Sequence, residues 1–314
     1  MNFTRYAKLV GLGSNTMTWP GGVWKGGEFS GNWVAGRFKE GSFSGSWNDG
    51  VWQSGTFVAG TWYTGEWRGG VWTTGIWRFG KWCGGTWLGG EWHGGEWLGG
   101  EWAKGIWSRG DWRNGVWNSG AWLAGSWHMG TFVDGNWKTG IWTNGLWKHG
   151  LWENGSWYDG TWLDGHWTKG TWLDGTWQKG LWSGGEWFKG TWENGEWKDG
   201  RWLSGTWNDG TWFGGDWHGG AWKYGEWKGG TWHVGTWHDG FWKGGTWVDG
   251  NWCDGWWGDG KWNNGRWYGG VWLGGTWVTG LIFDPELSKL VRSNVSPSEY
   301  FKAKNTNRAK ETSD

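Results

Sequence analysis

The chain reads as an all-β repeat protein, a right-handed four-sided β-solenoid with a cap at each end. Three observations predict it. From Gly45 to Thr279, Gly recurs every fifth residue and an aromatic residue stands two places after each Gly. The aromatic is almost always Trp, of which the chain has 49, beside 70 Gly. A period of five matches neither the 3.6 of a helix nor the 2.0 of a continuous strand, and Gly at every fifth position would cost a helix about 1 kcal/mol each time.

The unit is G-x-W-x-x, as in "GSWNDGVWQSGTFVAGTWYTGEWRGGVW", where Trp47, Trp52, Phe57, Trp62, Trp67 and Trp72 hold the aromatic place. Two residues apart in an extended segment, Gly and Trp face one side and the residue between them faces the other. The two residues after Trp read as a turn, since the second is Gly, Asn or Asp in more than half of the units, types that tolerate positive φ. Each unit is then a side of about three residues and a corner of about two.

Two architectures follow. If every corner turns the same way, four sides close a coil of about twenty residues and coils stack at roughly 4.8 Å. If every corner reverses the chain, the result is an antiparallel meander of very short strands with all indoles on one face. The meander leaves a large apolar face for a second sheet or subunit to cover, whereas the solenoid buries the indoles in its own lumen and is preferred. About 47 regular units plus the early ones give about 13 coils and a rod of about 60 Å at that spacing. Thr131, Thr171, Thr191, Thr211 and Thr231, separated by multiples of twenty, would then stack as a ladder. That ladder is broken by Leu151 and ends at Asn251, which argues against an ice-binding face.

This pattern resembles the pentapeptide-repeat family, which repeats a small residue, a polar residue, then Leu or Phe and two more. The resemblance covers about four-fifths of the chain, with Gly in the small place and Trp in the large one, and it implies a quadrilateral β-helix with both residues facing inward. Removing a Cβ opposite a larger ring keeps such a lumen filled without overpacking. Trp-rich G-x-W-x-x chains also resemble proteins encoded among the structural genes of large tailed bacteriophages, and that likeness implies a virion component.

Four segments result. Residues 1–21 do not repeat and read as an N-terminal cap or docking segment. Their apolar run is too short for a signal peptide or a membrane span, and Gly11-Leu12-Gly13 lacks the framing of a nucleotide loop. Residues 22–282 form the solenoid. Its first aromatics, Trp24, Phe29, Trp33, Phe38, Phe43 and Trp47, include two spacings of four, each a corner tightened by one residue. Residues 283–303 read as a helical cap, with Asp284 as N-cap, Pro285 at the first helical position and Leu287, Leu290 and Val291 on one side. A second start signal stands at Ser296 and Pro297. Residues 304–314 are polar and read as a disordered tail.

Composition narrows the function. Lys plus Arg equals Asp plus Glu, 29 each, and the signs alternate along the array. No basic stripe for nucleic acid is visible, and a neutral chain does not suit an acidic duplex mimic either. Cys83 and Cys253, 170 residues apart, read as two free thiols. Among the seven His, His233 and His238 occupy equivalent corners of adjacent sides, but no cluster has metal-ligand spacing, so no metal or cofactor is expected. No catalytic residue is expected, because two-residue corners offer no loop to build a cleft.

The expected role is structural: a rigid rod or decoration in a larger assembly, most fittingly a phage virion assembled in the host cytoplasm. Trp47, Trp52, Trp62, Trp67, Trp72 and Trp277 represent its core. Leu287, Leu290, Tyr300 and Phe301 are candidate docking residues toward other virion proteins or a second copy. The alternative is an adhesin-like rod recognising host surface glycans through outward aromatics: Trp19, Trp256, Tyr63, Tyr158, Tyr224, Tyr268, Phe79, Phe188, Phe213 and Phe241. Neither role calls for membrane insertion.

Overall fold

The computed structural model describes residues 17–311, and the expected cap over residues 1–16 lies outside them. Nearly every G-x-W-x-x unit contributes a strand of two residues, the outward residue and the Trp, followed by a three-residue corner that ends on Gly. Strands pair in parallel, coil over coil, so the chain is a β-solenoid and the meander is excluded. The chain divides into two compact units, residues 1–161 and 162–314.

The coil has three sides rather than four. In the first unit Lys81 pairs with Glu96 and Trp82 with Trp97; in the second Thr176 pairs with Thr191 and Trp177 with Trp192. The register is therefore fifteen residues. One strand per coil gives ten coils in the first unit, Val23–Trp24 to Ser156–Trp157, and eight in the second, Thr171–Trp172 to Thr276–Trp277. The expected total of about 13 is corrected to about 18.

Ring packing supplies the physical reason. Within a coil, consecutive indoles meet edge to face: Trp82 and Trp87 have centroids 5.9 Å apart at 74°. Between coils they stack, with Trp82 and Trp97 4.7 Å apart at 6°, and Trp192 and Trp207 4.8 Å apart at 6°. Three rings, each with its edge against the face of the next, fill a triangular lumen, whereas four around a square leave a hole at the axis. Trp47, Trp52, Trp62, Trp67 and Trp72 are fully buried, as expected, and Trp277 nearly so. Edge-to-face and offset pairs add about 0.5–1.5 kcal/mol each beyond burial. Against this stands a cost. The indole N–H groups of Trp52, Trp67 and Trp202 donate to the carbonyls of Gly69, Gly84 and Gly219 at 3.1 Å, while those of Trp62, Trp77 and Trp92 are buried without a hydrogen-bond acceptor.

The repeating Gly is not a small inward residue, as the family resemblance implied. It forms the corner itself, with φ between +91° and +144° along the repeat. At Gly185, φ is +114° and an added Cβ would lie 2.3 Å from the carbonyl oxygen of Gly170, one coil below. Glycines thus stack on glycines. The Asp or Asn before them does not need positive φ either. Its side chain accepts from the next N–H, as in Gly50 N–H to Asp49 Oδ1 at 2.7 Å and Gly195 N–H to Asn194 Oδ1 at 2.6 Å. The backbone of each outward residue donates one coil back, as Glu66 N–H does to Gly50 O at 2.8 Å.

The register also rewrites the threonine ladder. In the second unit Thr171 and Thr231 share one column, Thr191 stands in the next beside Thr176 and Thr206, and Thr211 stands in the third. Within the second unit the longest run of threonines paired in direct succession is Thr176, Thr191 and Thr206.

At the start, Met17–Trp19 is already a strand, paired Met17 to Gly31 and Trp19 to Trp33. The four-residue spacings shorten the coil, but by removing a corner instead of tightening it. The coil shortens to fourteen, Val23 pairing with Arg37, and Glu28–Trp33 and Ser42–Trp47 run through their corners as continuous six-residue strands.

The C-terminal end departs from the expectation over 283–303. Gly280–Asp284 pairs in parallel with Arg266–Trp267, Ile282 taking the Trp place, and in antiparallel fashion with Lys289–Ser293. Asp284 Oδ1 does accept from the N–H groups of Glu286 and Leu287, at 3.0 and 3.2 Å, as an N-cap would. Ser288, the one non-glycine at positive φ among the described residues (+49°), then reverses the chain into a hairpin. The helix is Pro297–Glu311, so the tail expected to be disordered from 304 is helical to 311. It starts where the sequence placed it, in a capping box in which Ser296 N–H donates to Glu299 Oε2 at 3.1 Å. Tyr300, Lys304 and Arg308, spaced by four on one face, tie it to the hairpin. Tyr300 donates to Asp284 Oδ2 at 2.8 Å, Lys304 to both Asp284 oxygens at 2.7 and 2.6 Å, and Arg308 to Glu286 at 3.1 Å.

Two outcomes follow. Gly185→Ala should destabilise the second unit by about 2–4 kcal/mol, through left-handed strain and the clash with Gly170. Gly184→Ala, whose Cβ meets nothing nearer than 3.6 Å, should change stability by less than about 0.5 kcal/mol, both read from urea melts. The second concerns Asp284, whose carboxyl is held down to about 2 by hydrogen bonds from Lys304, against the effect of burial and with help from Tyr300 and Leu287. A depressed folded pKa means stabilisation present above the ordinary value near 3.8 and lost as pH falls toward 2. Hydrogen exchange should therefore show the hairpin–helix cap loosening over that window before the repeat does, and Asp284→Asn should loosen it already at pH 7.

Candidate functional site

The outward column and the corner column of one face in the second unit bring three exposed aromatics, Tyr224, Phe241 and Trp256, into one groove. Along the outward column Glu226 pairs with Phe241 and Phe241 with Trp256, each one coil above the last. Phe241 and Trp256 lie ring over ring, centroids 6.2 Å apart at 25°, and are 53% and 47% exposed. Tyr224, in the corner just before Glu226 and 58% exposed, forms the other wall with Asp209 and Asp239, one coil below and above it. The groove, about 550 Å³, is lined by these six and by Thr211.

Its electrostatics are acidic but anchored. Asp209 and Asp239 each accept from the next glycine N–H, at 2.7 and 2.6 Å, which fixes their carboxylates in the corners. Glu226 pairs with Lys243, and Lys228 lies 4.0 Å from it. Aromatic faces beside fixed carboxylate acceptors suit a flat ligand with an apolar side and hydroxyl donors, as a pyranose has.

The other expected aromatics fare differently. Trp19 is not outward: it is 4% exposed and stacked on Trp33 at 5.3 Å, so it leaves the glycan set and joins the core. Phe213 carries the ammonium groups of Lys198 and Lys228 at 3.4 and 4.2 Å from its ring centre. Arg78 lies over Tyr63 at 5.6 Å and Arg109 over Phe79 at 5.8 Å, contacts one and two coils apart, and both rings stay exposed outside the groove. Tyr158 and Phe188 are exposed outside the groove, and Tyr268 lies 6.3 Å from Phe283.

The four candidate docking residues are split. Leu287 is exposed in the hairpin turn, Leu290 is half-buried in the hairpin, Tyr300 is committed to Asp284, and Phe301 lines a groove with Pro285, Phe283 and Trp272. Cys83 and Cys253 are free thiols, both raised in pKa chiefly by burial, with Glu66 adding for the first and Asp254 for the second, so neither is activated.

Sequence reasoning missed one cluster. Asp216 and His218 flank the inward Trp217, and His233 lies fifteen residues beyond His218, one coil above. Comparing His233 with His238 looks along the coil instead of across coils; counting in fifteens finds the pair. Comparison with protein-family models, with curated proteins and with solved structures gives no match to this chain. No helix among the described residues is long and apolar enough to cross a membrane.

The burial pattern gives an optical test. Trp256 is the one exposed indole among the described residues outside the first coil, so it should provide most of the red-shifted, iodide-quenchable fluorescence. Trp256→Phe should remove that component and leave the blue-shifted, quench-resistant emission of the lumen unchanged.

Proposed function

We propose that this protein is a non-enzymatic structural element, a rigid spacer or decoration docked within a larger assembly. The observation that carries the reading is the economy of the repeat. Each regular unit spends one residue on a filled aromatic core, three on a corner and one on the outer face, which leaves no loop from which a water-excluding catalytic cleft is built. The hairpin and helix that end the described chain cover the last coil, where Trp277 Nε1 donates to Ser293 O at 3.0 Å, and this favours docking to neighbours over open-ended growth by strand addition. The likeness to Trp-rich repeat chains of large tailed phages makes a virion, as a tail, fibre, neck or capsid accessory, the assembly of choice. Its neighbours would be other virion proteins or further copies of itself.

A second reading is favoured by the Tyr224–Phe241–Trp256 groove: recognition of surface glycans by stacking on exposed rings. It is compatible with the first, since a decoration on a particle is where a glycan contact would be placed.

Quantitative mass spectrometry of purified particles from the source lysate tests the first reading. Presence at a fixed copy number, a multiple of the tail or capsid symmetry, is the expected result. A chain found free or on a cell surface overturns the virion reading. Binding on a glycan array that is lost in Trp256→Ala and Phe241→Ala then establishes the second.

A further inference from the structure

We propose that Asp216, His218 and His233 form a binding site for a borderline divalent transition ion, with Zn²⁺ as its representative, clipping two successive coils of the second unit together on their outer face.

The placement follows from the two periods of the fold. Asp216 and His218 stand on either side of Trp217, and strand alternation that sends the indole inward sends both of them outward. His233 comes to the same spot by the fifteen-residue register, in which Asp216 pairs with Thr231 and Trp217 with Trp232. Backbone hydrogen bonds fix both histidines: His218 N–H donates to Trp202 O and His233 N–H to Trp217 O, each at 2.7 Å. Three potential ligand atoms, one from each side chain, lie within 4.8 Å of one another, and His233 Nε2 is 4.0 Å from Asp216 Oδ1. That last distance is the outer limit of an ion pair, too long for a hydrogen bond.

A second observation points to a ligand. The imidazoles of His218 and His233 lie face to face, centroids 4.5 Å apart and 1° from parallel. His218 is held below the ordinary histidine range, by burial first and then by His233, with Arg201 adding and Asp216 opposing. Neutral imidazole is the form that ligates metal. His218 Nε2 is moreover enclosed, and no hydrogen-bond partner reaches it among the described residues. The surrounding charges are few. Arg201, one coil below Asp216, is turned to Glu186 Oε1 at 3.0 Å, and Thr231, one coil above, is uncharged.

Two imidazoles and one carboxylate select zinc, nickel, cobalt or copper over calcium or magnesium, which take all-oxygen sets. Bonds of about 2.0–2.2 Å need ligand atoms about 3–3.5 Å apart, so the rings must tilt together by about an ångström. His233 and Asp216 are 41% and 49% exposed, so rotation of these two side chains toward His218 supplies this. Water would complete the coordination shell.

The test is calorimetric titration of the untagged, chelator-stripped full chain with ZnCl₂, together with the visible spectrum on adding CoCl₂. One equivalent of Zn²⁺ per chain is expected. His218→Ala and His233→Ala should each weaken binding at least about tenfold, Asp216→Asn should weaken it by less, and His238→Ala should leave it unchanged. All four substitutions lie on the outer face, so their melts in the presence of chelator should coincide with that of the parent, which separates loss of a site from loss of fold. Absence of saturable Zn²⁺ uptake, or uptake that survives the double variant H218A/H233A, overturns the proposal. So does a loss in His238→Ala as large as in His218→Ala.

Discussion

The structure depends on a coincidence of two lengths. Parallel strands hydrogen-bond at about 4.8 Å, and flat aromatic rings stack in van der Waals contact at almost the same separation when offset. An indole placed on every strand at one register therefore meets the indole above without stretching either the ladder or the ring contact, as Trp82 and Trp97 do at 4.7 Å. The glycine corner answers the same requirement from the backbone side. Only a residue without Cβ lets successive coils approach to strand spacing at positive φ, and the column Gly170–Gly185 shows how little room remains. Rings hold the inside at that pitch, glycines permit it at the corners, and the N–H and C=O groups of the short strands run between.

Much of this is legible in the residues. The solenoid, the inward indoles and the shortened early coils all follow from a period of five, and its slips to four, read against the geometry of a strand. The number of sides does not, because five divides fifteen and twenty alike, and the outward residues repeat too loosely to choose. What decides it is how indoles fill a lumen, a packing question that the spacing of Trp in the sequence does not pose. The same ambiguity hides Asp216, His218 and His233, and it produces a threonine ladder that the fold distributes over three columns.

The differences at the ends of the chain have another origin. Asp284 and Pro285 do start a capped turn, and one left-handed residue, Ser288, sends it back as a hairpin. Lys304 and Arg308 sit in a stretch whose polarity reads as solvated, yet that polarity is the face by which the helix holds Asp284 and Glu286. Trp19 sorts with the outward aromatics because it stands before the first regular unit, while its stacking on Trp33 puts it in the lumen. In each case the local signal is sound and the partner that gives it meaning lies elsewhere in the chain.

The three interchangeable sides have a consequence for how such a chain changes over time. The core is the same residue on every side, so gain or loss of a single five-residue unit leaves the indole column filled and moves everything downstream on by one face. The interior does not register the slip, but the exterior is dealt again. Tyr224, Phe241 and Trp256 would part company after one pentad inserted among them, and fifteen residues, a whole turn, would be needed to bring them back to one face. A fold this indifferent to the phase of its repeat keeps its architecture while shuffling the surface that it presents, which lets new outer faces arise by duplication without first passing through an unfolded protein.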